Sequence, residues 1–115
     1  MKIICEFNNH KEAQDMIVTL SSEMNLSYSE AIKSALNSAN LANIKKGFIH
    51  IAYPMWRHED FDYTFKKMTS SEVEIDVSDK EFIRIAYVAM KNEVDINKSI
   101  AYFVLSELES LGYHT

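Results

Sequence analysis

The last third of the chain carries the pattern that most constrains its fold. Residues 72–77 alternate between apolar and acidic side chains, which is typical of a half-buried strand. Ser78 and Glu81 then form a capping-box signature, and apolar residues recur at helical spacing as far as Leu111. Asp95 divides this stretch, because Asp favours the N-cap of a new helix. The pattern predicts a strand followed by two helices.

The first third repeats this order more faintly. Residues 2–7 alternate as a strand would, and Asn9 with Glu12 gives a capping-box signature for a first helix. Ser27 with Glu30 gives another for a second helix, which is expected to end near Lys45, Lys46 and Gly47. The four predicted helices are expected to bury these residues: Ala13, Met16, Ile17, Leu20, Met24, Ala31, Ile32, Ala35, Leu36, Ala39, Phe82, Ile85, Ala86, Ala89, Met90, Ile100, Phe103, Val104, Leu108 and Leu111.

The two thirds also match each other at nearly constant spacing, as an internal repeat does. The matched pairs are Asn9 and Ser78, Glu12 and Glu81, Leu26 and Val94, Ser27 and Asp95, Ile32 and Ile100, and Leu36 and Val104. This order resembles the Arc/MetJ-like ribbon-helix-helix fold, in which two strand-helix-helix units pair their strands over four interlocked helices. The resemblance implies an α+β pseudo-dimer within one chain, with a small antiparallel sheet and an inserted strand or hairpin segment.

Length and composition fit one domain. A chain of 115 residues with 47% hydrophobic and 25% charged side chains is long enough for a single core. We predict a first unit at 1–46, an inserted segment at 47–71 and a second unit at 72–115. In the insertion, residues 48–53 favour a strand; residues 61–65 favour a second strand, although 59–67 also fits a short helix.

The charge of the predicted ribbon conflicts with the DNA binding that the family implies. In that family the ribbon enters the DNA major groove, and the start of the second helix contacts phosphate. Here the net charge is −5, and a cluster of carboxylates would be repelled by phosphates. The outward ribbon face is expected to carry Lys2, Ile4, Glu6, Glu72, Glu74 and Asp76.

The insertion contains an aromatic cluster. Tyr53, Trp56 and Arg57 belong to residue types that are enriched at protein-binding hot spots, although aromatic rings also cap the end of a small core. His58, Glu59 and Asp60 could in principle support metal-assisted hydrolysis, the weakest of the interpretations. We expect no enzymatic activity, metal or cofactor, because glycine-rich loops and zinc-ligand spacings are missing from the sequence.

The location expected from the sequence is the cytoplasm. No apolar run reaches the length of a membrane span, Glu6 interrupts the apolar N-terminal residues, and the single Cys5 cannot form an internal disulfide. Two oligomeric states fit the sequence: a monomer, which would be an internal pseudo-dimer, and a homodimer.

These features favour a non-catalytic regulatory or inhibitory protein that binds a protein partner. The partner could be a nucleic-acid-binding protein that reads the acidic ribbon as phosphate, as phage-encoded inhibitors of this size would. The candidate partner-binding residues are Glu6, Glu72, Glu74, Asp76, Trp56, Arg57 and Tyr53. The alternative is a ribbon-helix-helix DNA-binding transcriptional regulator, with contacts from Lys2, Ser27, Asn97 and Lys98, or from Lys45 and Lys46.

Overall fold

The computed structural model describes residues 1–8, 10–44 and 68–112. Its elements in chain order are strand β1 (Lys2–Glu6), helices α1 (Lys11–Met24) and α2 (Tyr28–Ser38), a 3₁₀ turn (Leu41–Asn43), strand β2 (Glu72–Asp76), and helices α3 (Asp79–Asn92) and α4 (Ile96–Ser110). Within these ranges, four α-helices and a two-stranded antiparallel sheet confirm the predicted α+β class. The strands predicted at 48–53 and 61–65 lie outside the described residues.

The two strands pair as predicted and separate a buried face from an exposed one. β1 runs antiparallel to β2, with Ile4 opposite Glu74 at the centre of the register. The odd-numbered residues of both strands face inward, and Cys5, Val73 and Ile75 are buried. This is the two-residue period that the alternating sequence predicts.

Helix α4 is the centre of the helical layer. It packs against α1, α2 and α3, and every residue from Ser99 to Leu108 is buried. Each strand also contacts the second helix of the other half of the chain, β1 with α4 and β2 with α2. Apolar residues of both halves therefore share one core, and the arrangement is compatible with a ribbon-helix-helix-like α+β fold.

The two halves repeat the same helix-turn-helix geometry. Lys11 and Asp79 begin the first helices, and Tyr28 and Ile96 begin the second helices, with the same separation in sequence. Between the helices, Asn25 and Glu93 both adopt the left-handed conformation, at φ 55° and 57°. In each turn the next backbone N–H donates over 3.0 Å to a carbonyl five residues earlier. This bond closes the first helix and redirects the chain into the second.

Three of the four predicted helix caps are present. Ser27 with Glu30 and Ser78 with Glu81 form complete capping boxes, and Asp95 accepts from the backbone N–H at the start of α4. The fourth cap was predicted at Asn9, which lies outside the described residues. His10 occupies the N-cap position of α1 and makes no capping hydrogen bond through its side chain.

Some predicted core positions and one predicted helix end are wrong. Met90 is 80% exposed, because five residues beyond Ile85 a helical position points about 140° away from it. Leu111 is 44% exposed, because α4 has already ended at Ser110. Helix α2 ends at Ser38, where the chain becomes extended. Lys45, Lys46 and Gly47, predicted at that helix end, lie outside the described residues.

Candidate partner-binding surface

The strand register brings the four predicted acidic residues onto one exposed face of the ribbon. Glu6, Glu72, Glu74 and Asp76 are all exposed. Glu6 lies directly opposite Glu72, and like charges in this position repel. We refer to the outward side chains of Lys2, Ile4, Glu6, Glu72, Glu74 and Asp76 as the acidic ribbon face.

An apolar residue occupies the centre of the acidic ribbon face. Ile4 is 61% exposed and pairs across the strands with Glu74. Single exposed aliphatic side chains are common on protein surfaces, and this one is surrounded by carboxylates and Lys2. Strand alternation predicted that Ile4 would face outward, but no role in binding was predicted for it.

The two ends of the acidic ribbon face differ in charge. At one end Lys2 lies opposite Asp76, and the Met1 amino nitrogen lies 3.2 Å from the Asp76 Oδ1 atom. At the other end the facing pair is Glu6 and Glu72, and both are acidic. The face therefore runs from a mixed-charge end to a wholly anionic end.

A buried carboxylate beside the ribbon pairs with another cation at the edge of this face. Lys33 Nζ of α2 donates to the Asp76 backbone carbonyl at 2.5 Å and to Glu81 Oε1 at 2.9 Å. Asn37 of the same helix donates to the other Glu81 oxygen at 2.7 Å. Because Glu81 pairs with Lys33, the Lys33 charge does not offset the carboxylates of the ribbon.

The surroundings of Glu81 lower its pKa and so favour the ionised carboxylate. Burial raises the pKa of the Glu81 carboxyl. Hydrogen bonds from the Ser78 backbone and from the side chains of Lys33 and Asn37, together with the Lys33 charge, outweigh burial and lower the pKa to about 2. The group that joins α3 to α2 therefore stays ionised at neutral pH.

Two of the four described residues proposed for DNA contact are engaged within the protein. Ser27 Oγ accepts from the Glu30 backbone N–H at 3.1 Å as a helix cap. Asn97 Oδ1 accepts from the Glu6 backbone N–H at 3.2 Å. Lys2 is exposed on the ribbon, and Lys98 is half-buried at the start of α4.

Three predicted partner-binding residues, Tyr53, Trp56 and Arg57, lie outside the described residues, and their role stays a prediction. The same holds for His58, Glu59 and Asp60 of the hydrolase interpretation, and for Lys45 and Lys46. Within residues 1–8, 10–44 and 68–112, no group of three or more His, Cys, Asp or Glu side chains is placed to hold a metal ion.

A second exposed surface was missed by the sequence analysis. Ile83, Tyr87 and Met90 on the outer side of α3 are 65%, 48% and 80% exposed. Beside them a groove of about 440 Å³ separates α3 from the 3₁₀ turn; Leu41, Ala42, Ile83, Arg84, Tyr87 and Lys91 line it. The spacing of the three exposed residues could have revealed a second apolar stripe, because it follows one side of a helix.

Comparisons with known proteins identify no relative. No protein-family model matches the chain, and no curated protein or solved structure is significantly similar to it. Separately, none of the described helices combines the length and the apolar character needed to cross a lipid bilayer.

Proposed function

We propose that the protein is a non-catalytic regulatory or inhibitory binding protein whose acidic ribbon face contacts a protein partner. The observation that carries this proposal is the register, which aligns Glu6, Glu72, Glu74 and Asp76 on one exposed side of the sheet. Ile4 at the centre supplies apolar contact area. Tyr53, Trp56 and Arg57 of the insertion, which lie outside the described residues, are proposed as further partner contacts.

We also propose that the fold is a fused ribbon-helix-helix pseudo-dimer. Three observations support it: the paired strands, the two matching helix-turn-helix units, and the contacts of each strand with the second helix of the other half. In a dimer of that family these contacts would join two chains. Here a single chain supplies both sides.

The sign and the alignment of the carboxylates support a basic, nucleic-acid-binding partner. Successive outward residues of an antiparallel strand are roughly 6.8 Å apart, so Glu72, Glu74 and Asp76 form a line of charge. One DNA strand carries a phosphate about every 3.4 Å along the helix axis. The line of carboxylates therefore has about half the charge density of one DNA strand, and Glu6 adds one more negative charge at the acidic end. A protein surface that reads phosphates would find the same sign of charge here.

Direct DNA binding is the competing function. The ribbon-helix-helix-like arrangement and the exposed Lys2 favour it. The four carboxylates around Lys2 oppose it, because non-specific DNA affinity comes largely from cations that neutralise phosphates. The paired Lys33 and the engaged Asn97 weaken it further.

A titration against a mixed-sequence DNA duplex at low and moderate salt separates these functions. We expect no binding by the wild type and weak, salt-sensitive binding by the Glu72→Lys/Glu74→Lys variant. The matched control is Glu12→Lys/Glu23→Lys, which changes the net charge equally on α1, and it should not acquire binding of the same strength. Salt-sensitive binding by the wild type would establish the DNA-binding regulator instead.

The same variants test protein binding. With an oligoarginine peptide as the probe, the wild type should bind, Glu72→Lys/Glu74→Lys should lose binding, and the α1 control should retain most of it. All four positions are exposed, so each variant should stay folded, and circular dichroism with a thermal melt checks this before the binding is compared. Equal peptide binding by both variants would mean that the acidic ribbon face is not the interface.

A further inference from the structure

A two-stranded ribbon has two backbone edges, and the hydrogen bonds at its ends show which residues face them. The Phe7 N–H donates to the Ser71 carbonyl at 2.9 Å, and the Val77 N–H donates to the Met1 carbonyl at 2.8 Å. In an antiparallel ladder, pairs of this kind alternate with pairs that exchange no hydrogen bonds. Because the register is continuous between the two ends, the backbone groups of the even-numbered residues point away from the partner strand.

The edge of β1 is closed at one end and mixed in character. Asn97 Oδ1 accepts from the Glu6 backbone N–H at 3.2 Å. The outward side chains along this edge are those of Lys2, Ile4 and Glu6, which are basic, apolar and acidic in turn. This edge therefore presents no uniform charge that a pairing segment could match.

The edge of β2 is open at its centre. None of the described residues exchanges a hydrogen bond with the outward backbone groups of Glu74. At Glu72 the exposed Ser70 hydroxyl donates to the backbone carbonyl at 3.1 Å and accepts from the N–H at 3.4 Å. Lys33 closes the other end by donating to the Asp76 carbonyl. The edge therefore offers a short open stretch, from Glu72 to the Asp76 N–H.

The side chains beside this open stretch select its occupant. Glu72, Glu74 and Asp76 are exposed and lie on one side of the strand. Opposite charges that face each other across two strands stabilise the pairing, and like charges destabilise it. A second copy of β2 would bring carboxylates against carboxylates, and DNA or an anionic membrane surface would be repelled. A peptide segment with a cation at every second residue has the matching charge and the matching period.

We propose that the edge of β2 binds an extended basic segment of the protein partner as a third, antiparallel strand of the ribbon. This inference rests on the proposed function and adds the conformation in which the partner is held. Two residues of the segment, separated by one, exchange backbone hydrogen bonds with Glu72 and Glu74 and place Arg or Lys side chains beside their carboxylates. The Ser70 hydroxyl releases Glu72 when the segment enters.

Fluorescence anisotropy with labelled peptides tests this mode of binding on the full chain. The probe alternates Arg with Thr, a residue that favours strands. Two further forms carry N-methyl groups, one on the arginines and one on the threonines, so all three peptides have the same charge. In the antiparallel pairing only the arginine N–H groups point toward β2. Methylated arginines should raise the Kd by about tenfold or more, because two hydrogen bonds are lost, and methylated threonines should change it by less than about threefold.

A matched pair of variants tests the same hydrogen bonds from the side of the protein. Glu74→Gln and Glu74→Pro remove the same charge, but only Pro removes the edge N–H. The ladder with β1 does not use this N–H, and proline is tolerated on edge strands, so circular dichroism should show both variants folded. Glu74→Pro should bind the unmodified peptide about fivefold more weakly than Glu74→Gln, as the loss of one hydrogen bond predicts.

The outcomes distinguish a failure of the strand pairing from a failure of the proposed function. If the wild type binds oligoarginine and the two methylated peptides have equal affinities, charge alone holds the partner and the third strand is wrong. A loss confined to the threonine form also overturns the antiparallel pairing. If the wild type binds neither oligoarginine nor the unmodified peptide, the proposed function fails and this inference fails with it.

Discussion

Replacing Glu81 by Gln removes one negative charge from the contact that joins the second unit to α2. A Gln side chain can still accept from the Ser78 backbone N–H, because Gln is tolerated at this position of a capping box. It cannot offer two carboxylate oxygens to Lys33 and Asn37, which donate to separate Glu81 oxygens at 2.9 and 2.7 Å. One of these donors would face the Gln amide group, which is itself a donor.

The cost of this change can be estimated from the contacts. A hydrogen bond to a charged group contributes about 1.5–3 kcal/mol net, and Glu81 is only 4% exposed. The Lys33 side chain is 39% exposed, so water recovers part of its loss. We expect Glu81→Gln to lower the free energy of unfolding by about 2 kcal/mol. With an unfolding entropy of about 2.1 cal/mol/K per residue, this lowers the Tm by roughly 8 °C.

The pH dependence provides a second signature. The pKa of Glu81 is lowered from 4.5 to about 2 in the folded protein, so the folded state favours the carboxylate. Its stabilisation is complete above the unfolded pKa and is lost as the pH falls from about 4.5 toward about 2. The Gln variant has no proton to gain at this position. Its stability should therefore fall less steeply than that of the wild type over this pH range.

The chain provides a matched control in its other capping box. Glu30 occupies the same position relative to Ser27, but it is exposed and its hydrogen bonds are made with Ser27. Glu30→Gln should therefore change the Tm only slightly. Urea unfolding at pH 7 and pH 3, followed by circular dichroism, measures both variants. If Glu81→Gln and Glu30→Gln lower the free energy of unfolding equally, the contact of Glu81 with Lys33 and Asn37 does not stabilise the fold.

Further changes test the core and the ribbon. Val104→Asp should unfold the protein by burying an unpaired carboxylate, whereas Met90→Asp should be tolerated; circular dichroism distinguishes them, and a folded Val104→Asp protein would remove α4 from the core. Burial raises the pKa of the Cys5 thiol to about 11, so a thiol reagent at pH 8 should label Cys5 only after denaturant is added. Glu6→Lys should stabilise the fold by a few tenths of a kcal/mol by replacing a like-charge pair, while Lys2→Glu should destabilise it; thermal melts at low salt measure both, and equal shifts would contradict the observed register.

Local signals predicted most of the described fold. The alternation of residues 72–77 identified β2 and its buried side, and the motifs beginning at Ser27 and Ser78 located two helix starts. Asp95 located a third. These predictions succeeded because each depends on a period or a cap within a few residues. The pairing of β1 with β2 came from the family resemblance and not from a local signal.

Contacts between distant residues were the part that sequence patterns did not reveal. Lys33 and Glu81 come from different units, and no local motif links them. Met90 was predicted to be buried because it is apolar. The number of apolar residues in a helix does not distinguish one wide buried side from two apolar sides of which only one is buried. The left-handed conformation of Glu93 was not predicted either, because Asn, which occupies the matching turn at position 25, adopts this conformation more often than Glu does.

The two strands of the ribbon differ in sequence, which gives the acidic ribbon face a property that a symmetric homodimer would not have. In a symmetric ribbon each strand contributes the same residues, so the second unit paired with itself would place only its own carboxylates on the outward face. Here Glu74 lies opposite Ile4, and Asp76 lies opposite Lys2. The neighbouring strand thus separates and partly neutralises the carboxylates. A palindromic DNA site mirrors the twofold symmetry of the protein that reads it, and this face, built from two different strands, does not have that symmetry. In the proposed function, its mixed and anionic ends would face an asymmetric protein surface, with cations near the Glu6 end and apolar groups near the Ile4 centre.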